Sequence, residues 1–399
     1  MRRVAPWVGA ANTVTAFATA RQMKRHDAVF DRMVAKAEAE SGGRAADHPD
    51  FIASYRLLLG HFAGVDDLST LGWKAMVDDL QRRITNYLRV ERICAENPAI
   101  LEEPVESPVF VVGLPRTATT LAHKILVVPE ENRGPLMWEL IYTDRSDIDP
   151  ALKAKRIKST ARMARLAGKA SPMWNLIHPM DAHQPEECVF ALPHGPQFYT
   201  RARVPGYLEW LKTHDFALDY RFLKKVLQVL QWGRPRTRWI LKSPFHLYNL
   251  DKVLEVFGDA TVLWTHRDPM TVLGSWCSLV ETGMALHNRR WDPEQIGADW
   301  LRLLSEGVGA ARDVRSTASA GRFVDVGYHS LSADPHREMP KLFARLGMTW
   351  TEHEERNLAE VVAGPGTRRA HEYDLTHYGL DDSAVDEAFG DYGRLGFLR

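Results

Sequence analysis

Residues 109–126 read VFVVGLPRTATTLAHKIL, a short apolar run followed by a polar loop and a second apolar pattern. The β-branched and aromatic residues at 109–112 predict a buried strand, which Gly113 and Pro115 end. The threonines that follow can cap a helix, and the apolar residues after position 120 have helical spacing. The stretch therefore predicts a strand, a tight loop and a helix in succession.

The predicted loop has the geometry of an anion-binding site. A helix that begins directly after a strand points its free N–H groups and the positive end of its dipole at the loop. Arg116 lies in this loop, and its guanidinium suits a phosphate or sulfate. The loop lacks the Gly-Lys-Ser/Thr ending of an ATP-binding Walker loop. The alternative is a buried strand that runs into a core helix and carries an incidental arginine.

The segment from Gly113 to Thr120, GLPRTATT, resembles the phosphosulfate-binding loop of sulfotransferases that use 3'-phosphoadenylyl sulfate. It is most similar to the loop of bacterial and tyrosylprotein sulfotransferases, which reads Pro-Arg-x-Gly-Thr-Thr. Ala118 stands where that family usually has glycine, so we expect a negative φ there. The resemblance implies that the donor is bound by Arg116, Thr117, Ala118, Thr119 and Thr120.

Two further apolar runs end in polar residues that we expect at the same sheet edge. Arg238–Lys242 and Ala260–His266 predict strands, each followed by a helix, and this order favours parallel pairing. Open α/β sheets place ligands at the carboxyl ends of their strands. Lys242, Arg267 and the loop are therefore predicted to face one ligand, whereas each cation alone would indicate a surface salt bridge.

The same segments extend the resemblance. LKSPF at 241–245, THRDP at 265–269 and Ser275 look like the second half of the sulfotransferase donor site. The resemblance implies that Arg267 and Ser275 bind the 3'-phosphate of the donor and that Lys242 lies beside the transferring group. The Gly-rich basic loop at 364–373 is similar to a late loop that closes the nucleotide site in relatives. The resemblance implies a further donor contact from Arg369, with Arg368 and His371 as alternatives.

The base that accepts the proton of the acceptor hydroxyl is predicted from the resemblance. Glu139 lies in the region where tyrosylprotein sulfotransferases carry a catalytic glutamate; its alternative role is that of an acid at the start of a helix. Residues 177–188 are similar to a His-Pro…Pro-Glu-Glu-Cys segment of bacterial sulfotransferases, which implies an acceptor pocket with His178 or His183 as the base.

The same span, residues 177–188, also holds three acidic residues, Asp181, Glu186 and Glu187. It has no helical His-x-x-x-His spacing, and arginine and lysine take the place of Mg²⁺ in this family, so we expect no metal.

Composition limits the partners and the compartment. Lys and Arg together number 51, as do Asp and Glu, and the resulting net charge of zero argues against a general nucleic-acid binder. Three distant cysteines form neither a disulfide framework nor a zinc spacing, which indicates a reducing, cytoplasmic setting.

The basic, alanine-rich stretch at 144–170 predicts a solvated helix face. Its alternative role is a lid over an anionic donor or a lipid headgroup.

Residues 1–105 are predicted to form a helical region, because apolar residues recur there at helical spacing. We expect this region to pack on residues 106–399, which the resemblance implies are a sulfotransferase domain. Residues 4–20 loosely imitate a signal peptide, but Asn12 and several threonines interrupt the apolar run. We expect a helix that packs on the body of the protein or makes peripheral contact with a membrane.

These patterns predict an α/β protein in which a mainly parallel sheet is flanked by helices. The resemblance implies that this is the P-loop-like sulfotransferase fold. The resemblance implies in-line transfer of a sulfuryl group from 3'-phosphoadenylyl sulfate to a hydroxyl of a small-molecule, lipid or glycolipid acceptor. The alternatives are a P-loop-like nucleotide kinase or hydrolase, and a non-catalytic protein that binds anions or lipids.

Overall fold

The strands of the protein form one parallel sheet. In a computed structural model, which describes residues 3–14, 16–363 and 374–395, they are β1 (Val109–Gly113), β2 (Asn132–Arg133), β3 (Arg238–Lys242), β4 (Thr261–His266) and β5 (Phe323–Gly327). Their order across the sheet is β2-β3-β1-β4-β5, and every neighbouring pair is parallel. The predicted α/β class with a parallel sheet is confirmed.

Helices surround the sheet and account for most of the chain. Among the described residues they are α1 (Pro6–Val14), α2 (Ala16–Met23), α3 (His26–Ser41), α4 (Pro49–Ala63), α5 (Thr70–Glu96), α6 (Thr119–Leu126), α7 (Met137–Ile141), α8 (Pro150–Ala170), α9 (Pro172–Ile177), α10 (Pro205–Leu211), α11 (Phe216–Gln231), α12 (Leu250–Val256), α13 (Pro269–His287), α14 (Pro293–Thr317), α15 (Tyr328–Ala333), α16 (Pro335–Arg345), α17 (Glu352–Ala363) and α18 (Asp382–Phe389). Each of the four strand-to-strand connections contains at least one of these helices, as parallel pairing requires.

The register of the sheet brings the ends of its central strands together. Val111 of β1 lies level with Lys242 of β3, and Gly113 of β1 lies level with Thr265 of β4. Because the strands are parallel, all three end at the same edge of the sheet. The β1–α6 loop, the residues after Lys242 and the residues after β4 therefore meet there, as ligand-binding residues do in open α/β sheets.

Alternating strand side chains build an apolar core on each face of the sheet. On one face, Val109 and Leu263 pack with α6 and α16. On the other face, Phe110, Trp239 and Trp264 join a larger cluster that includes residues of α5, α11 and α14. Burial of apolar surface stabilises the fold by roughly 25 cal/mol per Å². The edge that carries the loop is therefore held between two packed layers.

The N-terminal helices share the larger of these two cores. The described part of residues 1–105 is helical, and Tyr55 of α4 with Trp73 and Leu88 of α5 belong to the same cluster as Phe110. A domain boundary near residue 105 stays a prediction. No helix in the described ranges is both long enough and apolar enough to cross a bilayer.

Candidate active site

The loop between β1 and α6 is fixed against β4. Gly113 has a φ of 151°, and a Cβ atom there would collide with both the side chain and the carbonyl of Thr265. The hydroxyl of Thr117 donates to the carbonyl of Leu114 at 2.7 Å and lies 2.6 Å from the hydroxyl of Thr265. Thr117 is fully buried. Its side chain therefore supports the loop from within the protein.

Two residues of this loop have left-handed backbone conformations. The φ angle is 69° at Arg116 and 68° at Ala118, so the expected negative φ at Ala118 is wrong. This conformation costs a residue with a Cβ atom roughly 1–2 kcal/mol. Ala118 precedes α6, and its carbonyl accepts the first helical bond from the amide of Ala122 at 3.0 Å. The amides of the first turn, which include those of Thr119 and Thr120, lack intrahelical partners.

The start of α13 fixes the position of Arg267. The carboxylate of Asp268 accepts a hydrogen bond from the amide of Thr271 at 3.0 Å, and Pro269 occupies the first helical position. An aspartate cap followed by proline is a strong signal for a helix start. Arg267 therefore lies directly between the end of β4 and this helix.

Arg116, Arg267 and Ser275 form one hydrogen-bonded group. Arg267 donates from Nη1 to the carbonyl of Arg116 at 2.9 Å, and Arg116 donates from Nε to Oγ of Ser275 at 3.1 Å. The Arg267 guanidinium also stacks 3.9 Å from the centre of the Tyr328 ring. Its Nε is buried and has no hydrogen-bond partner among the described residues. One donor of this guanidinium thus remains for a ligand, since buried donors are rarely left unpaired.

The end of β3 brings Lys242 to two acids of the 177–188 segment. Its Nζ donates to Oε1 of Glu187 at 2.7 Å and lies 3.9 Å from Oε1 of Glu186. The other carboxylate oxygen of Glu186 lies 3.5 Å from Nε2 of His178. Lys242 is buried, with 2% of its side chain exposed. A lysine, two glutamates and a histidine therefore form a charged cluster at this edge of the sheet.

A backbone contact joins this cluster to the loop. Arg116 donates from Nη1 to the carbonyl of Ile177 at 3.3 Å, and Ile177 directly precedes His178. Arg116 therefore contacts both the residues of α13 and the segment that holds the base candidates. The two groups lie side by side along the carboxyl edge of the sheet.

His178 and Glu186 shift each other's protonation. Burial alone would lower the pKa of His178, but the carboxylates of Glu186 and Glu187 outweigh it and raise that pKa above its ordinary value. Burial alone would raise the pKa of Glu186, but the His178 imidazole and the Lys242 ammonium lower it to about 2. Glu186 is therefore ionised near neutral pH, and a carboxylate beside an imidazole makes that imidazole a stronger base.

The structure does not bring Glu139 to the other predicted residues. Its buried carboxylate lies 2.6 Å from Arg133 Nη2 and 3.2 Å from Arg234 Nη1. Its second oxygen accepts from the amide of Leu136 at 3.1 Å, at the start of α7. In the pairing of β2 with β3, Arg133 lies opposite Trp239, near the beginning of β3. Lys242 lies at the other end of that strand, so Glu139 and Lys242 are at opposite ends of β3. Glu139 thus has the contacts of a helix-start acid held by two arginines.

The remaining predicted residues lie outside this group. His183 is exposed on a turn, where its amide donates to the carboxylate of Asp181 at 2.8 Å. Arg369 lies outside the described residues. Glu186 and Glu187 belong to the cluster, although the sequence pattern alone predicts no role for them. The available signal was the pair of adjacent acids directly after Pro185.

One group in the described part of the chain approaches the geometry of a metal site. Ligand atoms of His194, His214 and Asp219 all lie within 4.8 Å of one another. Nδ1 of His194 lies 2.9 Å from the Asp219 carboxylate, which also contacts His214. Ser54 lies 2.8 Å from the other nitrogen of His194. These hydrogen bonds satisfy the imidazole of His194, and the three residues make no contact with the loop or Lys242.

Comparison with known proteins identifies similar chains. A model of the sulfotransferase family matches residues 108–352. The Mycobacterium bovis protein named omega-hydroxy-beta-dihydromenaquinone-9 sulfotransferase Stf3 is 27% identical over 308 residues, which cover 74% of this chain and 76% of that protein. The crystal structure of sulfotransferase STF1 from Mycobacterium tuberculosis H37Rv superposes with a TM-score of 0.78 at 27% identity, over 90% of this chain and 98% of that one. For sulfotransferase STF9 from Mycobacterium avium, the TM-score is 0.81 at 25% identity, over 91% and 95% of the two chains.

The matched range contains the loop, the Lys242 cluster and the residues around Arg267. It also spans more than half of the chain. The match therefore supports an enzyme that transfers sulfuryl groups, and not the kinase or the non-catalytic alternative. The chain belongs to the sulfotransferase family.

Proposed function

We propose that this sulfotransferase takes its sulfuryl group from 3'-phosphoadenylyl sulfate and transfers it to the hydroxyl of a small-molecule or lipid acceptor. The observation that carries the proposal is the continuous chain of contacts from Arg267 and Ser275 through Arg116 to the Lys242 cluster. Within this series of contacts, Arg267 and Ser275 suit a nucleotide phosphate, and the Lys242 cluster suits the transfer of the sulfuryl group.

The donor side is assigned to the loop and α13. The free amides at the start of α6 and the guanidinium of Arg116 suit the phosphosulfate, because helix N-termini and arginine forks both favour anions. Arg267 and Ser275 are assigned to the 3'-phosphate, and the unpaired Nε of Arg267 supports this fit. Arg369 is proposed as a further contact.

The transfer is assigned to Lys242 and Arg116. Bound 3'-phosphoadenylyl sulfate supplies the sulfuryl group, and negative charge develops on the oxygen that leaves with its phosphate. Fixed cations close to that oxygen lower the barrier, as in phosphoryl transfer. Lys242 has three donors and uses one on Glu187, so two remain for this purpose. The proposal requires no metal ion.

His178 is proposed as the base that takes the proton of the acceptor hydroxyl. The Glu186 carboxylate lies 3.5 Å from the imidazole and raises its pKa, which suits a general base. Glu139, the glutamate first predicted for this role, has two arginines as partners. His183 stays a further candidate because of its place in the same segment.

The acceptor is proposed to be a lipid alcohol or a similarly apolar hydroxyl compound. The relative Stf3 is named for a menaquinone-derived hydroxyl compound, which supports an apolar acceptor. We also propose peripheral membrane contact by the N-terminal helices, with Trp7 and Phe17 exposed on α1 and α2. No nucleic-acid partner is proposed, and the three buried free cysteines suit the predicted cytoplasmic setting.

Thermal unfolding with adenosine 3',5'-bisphosphate tests the donor assignment, with ATP plus Mg²⁺ and 5'-AMP as comparisons. A ligand at 100 times its dissociation constant stabilises the native state by about 2.7 kcal/mol. We expect this stabilisation from the bisphosphate alone, and its loss in Arg267→Ala. Arg302→Ala is the matched control, because Arg302 is an exposed arginine paired with Glu306 on α14. Equal stabilisation by ATP plus Mg²⁺, or none by the bisphosphate, would contradict the assignment.

A further inference from the structure

Helix α8 carries an exposed face of unusual charge. Its sequence, PALKAKRIKSTARMARLAGKA, contains seven basic residues and no acidic ones, in a chain whose net charge is zero. At 3.6 residues per turn, five of the basic residues fall within an arc of about 80°. These five, which we call the α8 cationic face, are Lys155, Lys158, Arg162, Arg165 and Lys169. All five are exposed.

The cationic face is not neutralised by the rest of the described chain. The other two basic residues of α8 are turned toward the protein, where Arg156 pairs with Asp144 at 2.6 Å and Lys153 lies over the Trp138 ring. None of the five exposed residues forms an ion pair within the described ranges. A folded protein gains nothing in internal stability from five like charges on one helix face. The arrangement therefore indicates an anionic partner.

Apolar side chains flank the cationic face. Leu166 of α8 is 53% exposed, and Trp7 of α1 is 52% exposed. The two helices meet where α8 ends, because the amide of Ala5 donates to the carbonyl of Ala170 at 2.9 Å. Val8, next to Trp7, is buried and anchors α1 against the protein. A tryptophan and a leucine beside a row of cations are typical of helices that lie in a membrane interface.

We infer that the α8 cationic face, together with Leu166 and Trp7, is a docking surface for a bilayer that contains anionic phospholipids. The cations match the phosphate headgroups, and the two apolar side chains reach the boundary between headgroups and acyl chains. An acidic protein or a nucleic acid would match the charges but leaves Leu166 and Trp7 unexplained. The observations therefore favour the lipid surface.

The position of this surface relates it to the active site. Helix α9 follows α8 after a single residue and ends at Ile177, whose carbonyl accepts from Arg116. One short helix thus separates the docking surface from His178. A bilayer held at α8 would present a lipid alcohol close to the acceptor side of the site. The docking surface itself does not depend on the donor assignment.

Co-sedimentation with large unilamellar vesicles tests the inference. The vesicles contain phosphatidylcholine either alone or with 30% phosphatidylglycerol, at low and at high salt. We expect the full-length protein to bind the anionic vesicles, and binding to weaken at high salt because the charges are screened. Binding that is equal for both vesicle types, or absent from both, would overturn the inference.

Two charge-matched triple variants identify the surface. The first is Lys158→Gln, Arg162→Gln and Arg165→Gln, and the second changes the exposed residues Lys36, Lys212 and Lys341 to Gln. The first should reduce partitioning into anionic vesicles by between about 10-fold and 100-fold, and the second by less than threefold. Trp7→Ser should weaken binding without changing its salt dependence. Equal losses in the two triple variants would overturn the inference.

Two further readouts separate this inference from the proposed function and from another partner. The first triple variant should keep the thermal stabilisation by adenosine 3',5'-bisphosphate, because α8 lies outside the donor site. Loss of vesicle binding with that stabilisation intact supports a separate docking surface. Binding of single-stranded RNA that the first triple variant abolishes, without vesicle binding by the unaltered protein, would assign the surface to nucleic acid instead.

Discussion

The ammonium of Lys242 lies 2.7 Å from a carboxylate oxygen of Glu187, a contact between residues 55 positions apart. Lys242 ends β3, whereas Glu187 follows a proline-bounded turn. The pair places a buried positive charge at the carboxyl edge of the sheet, next to Glu186 and His178. A buried ammonium held in this way needs little reorganisation when negative charge develops beside it.

Replacing Lys242 should affect turnover far more than donor binding. Removal of one preorganised donor of this kind lowers kcat by roughly 10²–10³-fold. We expect Lys242→Ala to show such a loss in sulfate-transfer assays, while the Kd for adenosine 3',5'-bisphosphate changes only a few-fold by calorimetry. Lys252→Ala on the neighbouring helix is the control, because its ion pairs among the described residues are with the surface acids Asp251 and Glu255. Equal losses in kcat and affinity would contradict the catalytic role.

The pH dependence of the reaction should report the His178–Glu186 pair. An imidazole base acts when it is neutral, so kcat/KM should rise with pH through a pKa that lies above the ordinary value of about 6.5. Glu186→Gln removes a carboxylate that favours the protonated imidazole. The rising limb should therefore move to lower pH, while the plateau falls because the imidazole is no longer held in place.

The exposed carboxylate of Glu130 provides a control for that profile. Glu130→Gln removes the same charge from an exposed position that makes no contact with His178. The rising limb of its kcat/KM profile should therefore lie at the same pH as in the unaltered enzyme. A limb that does not move in Glu186→Gln would assign the proton transfer to another residue.

Replacing Glu139 should affect the stability of the protein more than its catalytic rate. Its carboxylate is buried between Arg133 and Arg234, and breaking a buried ion pair costs roughly 3–5 kcal/mol. We expect Glu139→Gln to lower the free energy of unfolding by about 3 kcal/mol in urea titrations. The kcat of the folded fraction should fall less than in Glu186→Gln. Full stability combined with loss of kcat would return Glu139 to the role of base.

Glycine at position 118 should relieve the strained loop. The left-handed conformation costs alanine roughly 1–2 kcal/mol, and glycine loses roughly 0.4–1 kcal/mol through its more flexible unfolded state. Ala118→Gly should therefore leave the free energy of unfolding unchanged or raise it by up to about 1.6 kcal/mol. Ala359→Gly, on an exposed position of α17, should lower it by about 1 kcal/mol. Similar losses in both variants would contradict the strain.

The sequence predicts those features that depend on neighbouring residues. Strands β1, β3 and β4 appear as short apolar runs, because burial on both faces of a parallel sheet requires them. Gly113 marks the end of β1, and Lys242 marks the end of β3. The two-residue strand β2 has no such pattern. Its pairing depends on β3, which lies about a hundred residues further along the chain.

The missed features depend on contacts between distant segments. The positive φ at Ala118 belongs to a loop that Thr117 and Thr265 hold together across 148 positions. Glu187 enters the site only because the chain folds back onto β3. The sequence pattern also cannot distinguish a catalytic Glu139 from a helix-start acid. Its two arginine partners, one of them 95 positions away, favour the helix-start role.

The apolar cluster that Tyr55, Trp73 and Leu88 share with Phe110 and Trp264 limits how this enzyme can be recombined. A chimera joined near residue 105 would place the helices of one parent against the sheet of another, across an interface as closely packed as a protein interior. Volume mismatches there create cavities or overpacking, each costing about 1–5 kcal/mol. Chimeras of such enzymes should therefore take the helices of residues 1–105 and the sheet from the same parent.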